Sequence, residues 1–192
     1  MKTTEEVFNL AIGDFFSYLK SIDYGYKDTE GRIHRISVEE NYSDKEDGGV
    51  YSFSSPEEVI KNNCGWCWDV AELIKSYCIH NKIACKTYFA EYRSAEAHHT
   101  HTQVFVYYKN KWFEAPDNSS PVKFGENGCG DLGDCVSVLF SSFIACLRST
   151  LKENYSEKNL LIKEIDCKIP QGISDEEYLD LVRKSGMPKS FS

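Results

Sequence analysis

Apolar residues recur along this chain at helical spacing in several segments, with shorter strand-like runs between them. In residues 4–22, Val7, Leu10, Ala11, Phe15 and Leu19 fall on one stripe, which predicts an amphipathic helix. Thr3 followed three residues later by Glu6 fits a capping box at its start. Residues 23–54 are polar and irregular, with short β-like pieces only at 32–38 and 50–53. Ser55-Pro56-Glu57-Glu58 then supplies a serine cap, a proline at the first position and acids against the dipole. The short helix it starts ends near Asn62-Asn63, and a second helix runs from 66 to 81 with Val70, Leu73, Ile74, Tyr77 and Cys78 at core spacing.

Three strand candidates follow, at 83–92, 101–108 and 111–114, the last two joined by a tight hairpin at Lys109-Asn110. A glycine-rich loop covers 125–133. Residues 135–151 read as a buried helix, 160–167 as a strand and 174–184 as a terminal helix with its own capping box, Ser174 to Glu177. Residues 189–192 are expected to fray. With no repeat or linker, residues 1–192 are expected to form a single α+β domain, a helix packed on an antiparallel sheet.

Composition narrows the class. Apolar content of 41% is that of a globular protein, and a net charge of −8 argues against nucleic acid or an anionic membrane as partner. The N-terminal MKTTEEVFNL shows no secretory signal, and no apolar stretch reads as long enough to cross a bilayer. The eight cysteines then read as mostly reduced in a cytoplasmic protein, with Cys78 and Cys146 as small hydrophobes on helices.

Cys64-Gly65-Trp66-Cys67-Trp68-Asp69 lies where one helix stops and an apolar one starts. A thiol in the first turn of a helix meets unpaired N–H groups and the positive end of the dipole, which favour thiolate and can hold an oxyanion. His101, at the start of a strand, is the candidate base for Cys67. Asp69 is expected to stabilise the helix through its dipole.

Gly65-x-Cys67-x-Asp69, then Thr100-His101-Thr102 opening a strand, then Trp112 and an acid, resembles the transglutaminase-like superfamily, small bacterial members especially. The resemblance covers about a third of the chain, from Ser55 to Ser119. It implies a papain-like thiol fold, a Cys–His–Asp/Glu triad, and attack on an amide or ester carbonyl through a thioester, with a protein or peptide as substrate. The acid is expected to be Asp117, opposite Thr102 and re-aimed by a bulge or strand break at Pro116, with Glu114, opposite Phe105, in reserve. The Cys67 N–H, with Asn63 or Trp68 as second donor, would hold the oxyanion. No cofactor or metal is expected.

Other readings stand beside this one. Cys64 and Cys67 form a C-x-x-C, so redox chemistry is one, and zinc held with His98, His99 or His101 is another. A non-catalytic interaction domain on the same fold is the third. Hydrolysis and acyl transfer are not separable at this level.

Overall fold

The computed structural model describes residues 2–36, 51–126 and 128–185. The parts of the two early β-like pieces at Val38 and Val50, and the end expected to fray, lie outside them.

The predicted first helix is two: α1 (Thr4–Phe8), capped by Thr3 and Glu6, and α2 (Ile12–Leu19). The break has a cause in α4 (Cys67–His80), onto which both pack. Asn81 donates to the Phe8 carbonyl at 2.9 Å and the Tyr77 hydroxyl to the Leu10 carbonyl at 2.8 Å. Both acceptors are available because the chain turns extended at Ala11. Val7, Phe15 and Leu19 are buried as their stripe requires, whereas Ala11 is exposed.

The segment read as irregular contains β1 (Asp23–Asp28), β2 (Ile33–Arg35) and β3 (Tyr51–Ser52), which form a small sheet in the order β2-β1-β3. Asp28 fixes the β1–β2 turn: Oδ1 accepts from the Glu30 and Arg32 N–H groups and Oδ2 from Arg32 Nε and the His34 ring. The His34 hydrogen bond foremost holds its carboxyl well below the usual carboxylate range. α3 (Pro56–Asn62) carries the predicted cap, with Ser55 and Glu58 bonded reciprocally. β4 (Cys64–Gly65) then joins β1 in parallel.

The larger sheet is antiparallel, built from β5 (Cys85–Arg93), β6 (His98–Tyr108), β7 (Lys111–Glu114) and β8 (Leu160–Ile165) in the order β7-β6-β5-β8. α4 covers one face through Val104 and Val106. α5 (Leu132–Leu151) covers the other, where Cys135, Val136 and Phe140 meet Tyr88, Ala90 and Phe105. α6 (Asp175–Lys184) lies beside the start of α4, with Tyr178 stacked on Trp68 at 4.2 Å between ring centroids.

The fold is therefore mixed α+β, with a helix on each face of an antiparallel sheet. Two readings are corrected. Cys146 is exposed on the outer side of α5 and does not serve as core. The segment Leu132–Asn154 is, by length and composition alone, long and apolar enough to cross a membrane, its charged residues falling near its two ends.

Candidate active site

The chain reaches Cys67 by a sharp entry. α3 ends on Asn63 in the left-handed conformation, φ 48° and ψ 41°, a helix C-cap that asparagine tolerates. A Cβ on Gly65 would stand 3.2 Å from Val59 and 3.3 Å from Asp69, so glycine lets α3 and α4 close on one another. Asp69 does more than meet the helix dipole. Its fully buried carboxylate accepts from the Tyr51 hydroxyl at 2.6 Å, from Ser54 N–H at 2.9 Å and from Trp66 N–H at 3.4 Å. Burial still pushes its carboxyl up to about 7, the hydrogen bonds opposing.

Cys67 opens α4 and is half-buried. Two backbone N–H groups face its sulfur, that of Trp68 in its own helix and that of Thr102 on β6. Trp68 was an expected donor. Asn63 instead sends its side chain to the Ser21 carbonyl at 3.0 Å. Thr102 was missed, since a strand N–H becomes a donor to the thiol only where the next strand has stopped. The thiol is held up rather than down: burial, then the Asp117 charge, carry it to about 12 against the two N–H groups.

Asp117 reaches this place because Pro116, without an N–H, ends the β7 ladder, whose last bond is Ala115 N–H to the Val104 carbonyl at 2.8 Å. The hairpin register matches the expectation, with Glu114 opposite Phe105. Asp117 then stands in a turn, Oδ1 accepting from Ser119 N–H, Ser119 Oγ and Ser120 N–H at 2.8–2.9 Å. Asn118 pins the turn beside the start of α4 by donating to the Gly65 carbonyl at 2.8 Å. Lys20 Nζ donates to the Asp117 carbonyl at 2.8 Å.

His101 points elsewhere. The β5–β6 ladder is regular, pairing Phe89 with Thr102 and Ala90 with His101, so adjacent residues face opposite sides. Thr102 faces α6, 3.2 Å from the Tyr178 hydroxyl. His101 faces α5, its ring 6.2 Å from that of Phe143 and its Nε2 3.3 Å from Gln103 Oε1. Burial lowers the imidazole pKa, with Asp117 and Gln103 opposing. Glu114 shares that side, and burial, then Asp117, raise its carboxyl. Asp117 thus acts electrostatically on Cys67, His101 and Glu114, while among the described residues no hydrogen bond joins Cys67 to His101. No family model, curated protein or solved structure matches this chain.

The remaining candidates separate. Cys64 Sγ approaches the His34 carbonyl at 3.9 Å on the small sheet, away from the Cys67 environment. His98 bonds to Glu91 at 2.9 Å. Among the described residues, no three His, Cys, Asp or Glu side chains converge as a metal site.

Proposed function

We propose that this chain is a transglutaminase-like cysteine enzyme acting on an amide or ester carbonyl of a protein or peptide. The supporting observation is that Trp68 and Thr102 both aim backbone N–H groups at the half-buried Cys67 sulfur, with Asp117 close enough to act on both Cys67 and His101. In this reading the resting site holds a neutral thiol and a neutral imidazole. Substrate draws His101 from Gln103 across the edge of β6, which β7 leaves open beyond Pro116. The imidazole takes the thiol proton as sulfur bonds to the carbonyl carbon, and the two N–H groups hold the oxyanion. Collapse to the thioester expels the amine or alcohol, which takes the proton from the imidazolium. Water or an amine then releases the acyl group. Asp117 steadies the imidazolium while it exists.

A second reading rests on the same geometry. A thiol held neutral, with its candidate base on the other face of the sheet and bonded to Gln103, also suits a non-catalytic interaction domain on this scaffold. Acyl-enzyme trapping separates the two. The protein is mixed with a panel of activated acyl esters and glutamine-containing peptides, and its intact mass is read with and without hydroxylamine. An adduct on Cys67 that hydroxylamine removes, and that is lost in both Cys67→Ala and His101→Gln, is the expected result. Failure to acylate with any donor, or acylation that persists in His101→Gln, supports the binding domain.

A further inference from the structure

The larger sheet ends unevenly on its β7 side. β5 pairs with β6 from Val106 down to His98, whereas β7 pairs with it only from Tyr108 to Phe105, with one further bond from Ala115 N–H to the Val104 carbonyl at 2.8 Å. Pro116 has no N–H to carry that ladder on. The direction of the main-chain groups beyond it follows from the two ladders. Tyr107 N–H reaches the Ala84 carbonyl on the β5 side, and the Val104 carbonyl accepts on the β7 side. Odd-numbered residues of β6 thus turn their N–H and C=O toward β5, and even-numbered ones toward β7.

Thr102, Thr100 and His98 therefore turn theirs to an edge without a partner strand. Thr102 N–H is met there by the Cys67 sulfur. Among the described residues, no hydrogen bond takes up the main-chain N–H or C=O of Thr100 or of His98. Thr100 is half-buried and His98 exposed. From His98 to Thr102 the stretch measures about 14 Å, at ~3.4 Å per residue. Its groups alternate donor and acceptor, a pattern that the main chain of another extended segment matches and a small solute does not. Proteins usually blunt such an edge with lysine, other charges or proline. Here the uncovered residues are His98, His99, Thr100 and His101, with no lysine, acid or proline among them.

We propose that this edge is a docking site for an extended segment of another protein, which adds to the sheet as a strand antiparallel to residues 98–100. The segment takes up the line that β7 leaves at Pro116. Thr100 exchanges both of its main-chain hydrogen bonds with one residue of the segment, and His98 does so with the residue two further on. Thr102 keeps its N–H for the Cys67 sulfur, so the added strand ends beside the thiol without covering it. Main-chain bonds supply the affinity, so segments of varied sequence bind. Docking of this kind stands apart from the chemistry proposed at Cys67, since an enzyme and an interaction domain can both use such an edge.

The test uses the whole chain, isotope-labelled, with a pool of end-blocked hexapeptides randomised at every position and the same pool N-methylated along its backbone. Amide hydrogen exchange is read residue by residue by NMR, and repeated on Cys67→Ala to keep chemistry out of the reading. In the free protein Thr100 should exchange fast and Val106, which β7 covers, slowly. The plain pool at millimolar concentration should slow Thr100 several-fold, and the N-methylated pool should leave it fast. The proposal is overturned if Thr100 is already protected in dilute free protein, if the plain pool changes nothing, or if both pools act alike. Protection that grows with protein concentration alone overturns it too, in favour of a second copy of this chain on the edge.

Discussion

Thr102 presents its backbone N–H to the Cys67 sulfur, while its neighbour His101 turns its ring to the opposite side of the sheet. Strand geometry forces this division, because successive residues alternate faces and the ladder through 101 and 102 has no bulge. The thiol thus meets a strand's main chain, while the His101 imidazole lies on the other face of the sheet.

Free Cys67 should accordingly be sluggish toward iodoacetamide near neutral pH and speed up steadily as pH rises toward about 12. Asp117→Asn, which removes a charge disfavouring thiolate and keeps a carbonyl oxygen for the Ser119 and Ser120 bonds, should raise the rate several-fold. Site-resolved alkylation checks this; fast labelling of Cys67 at pH 6, or a slower Asp117→Asn variant, would count against it.

Asp69→Ala should cost about 3 kcal/mol, since Tyr51 Oη, Ser54 N–H and Trp66 N–H lose a buried acceptor together. Asp69→Asn should cost less, because Oδ1 keeps its two closest donors. Urea unfolding measures both, and an Ala variant within 0.5 kcal/mol of the parent, about the scatter of neutral surface changes, refutes the account.

The same carboxyl gives a pH signature. Its folded value, about 7, lies above the ordinary value of 3.8, so between them the folded chain binds more protons than the unfolded one. Its contribution therefore falls as pH rises from about 4 to about 7 and is level above that. Glu91 acts with the opposite sign. Burial raises its carboxyl, but hydrogen bonds from His98 and Arg183 outweigh it and bring the value to about 2. That stability, about 2 kcal/mol after allowing for the partly exposed partners, is present above about pH 4.5 and lost as pH falls toward 2. Unfolding free energy against pH should lose its decline between 4 and 7 in Asp69→Asn, and lose part of its acid drop in Glu91→Gln.

Gly25→Ala should unfold the small sheet. An added Cβ would collide with the His34 carbonyl and stand 2.9 Å from both Arg35 Cα and Cys64 Sγ, all held by the strands around it. A loss of more than about 2 kcal/mol is expected, read by urea titration, and a near-neutral variant would mean the strands part easily there.

Local chemistry was well written in the sequence. The two capping boxes read there, at Thr3 and Ser174, are formed, and the Ser55 cap proves to be a third. Lys109 and Asn110 have the positive φ values, 49° and 62°, of a two-residue hairpin turn, which set the register of Glu114 against Phe105. Long-range facts were not legible. β1 is polar because its Asp28 organises a turn, so no alternation marks it. From Thr102 to Val106 the chain carries apolar or buried residues on both sides, since helices cover both faces, and the side on which His101 falls has no sequence signature. Asp117 was reachable only through Pro116, whose ending of the ladder was foreseen as one of two outcomes.

The pairing of α6 with the start of α4 also bears on how the chain is made. Tyr178 covers Trp68 and Phe89, and Ile173 and Gly172 bond to Phe53, so the wall beside Cys67 comes from residues translated about a hundred positions later. Until α6 leaves the ribosome, two large aromatic rings next to the thiol stand uncovered. A nascent chain stalled short of Ser174 should be a client for chaperones, because the wall beside Cys67 is completed only once α6 has been made.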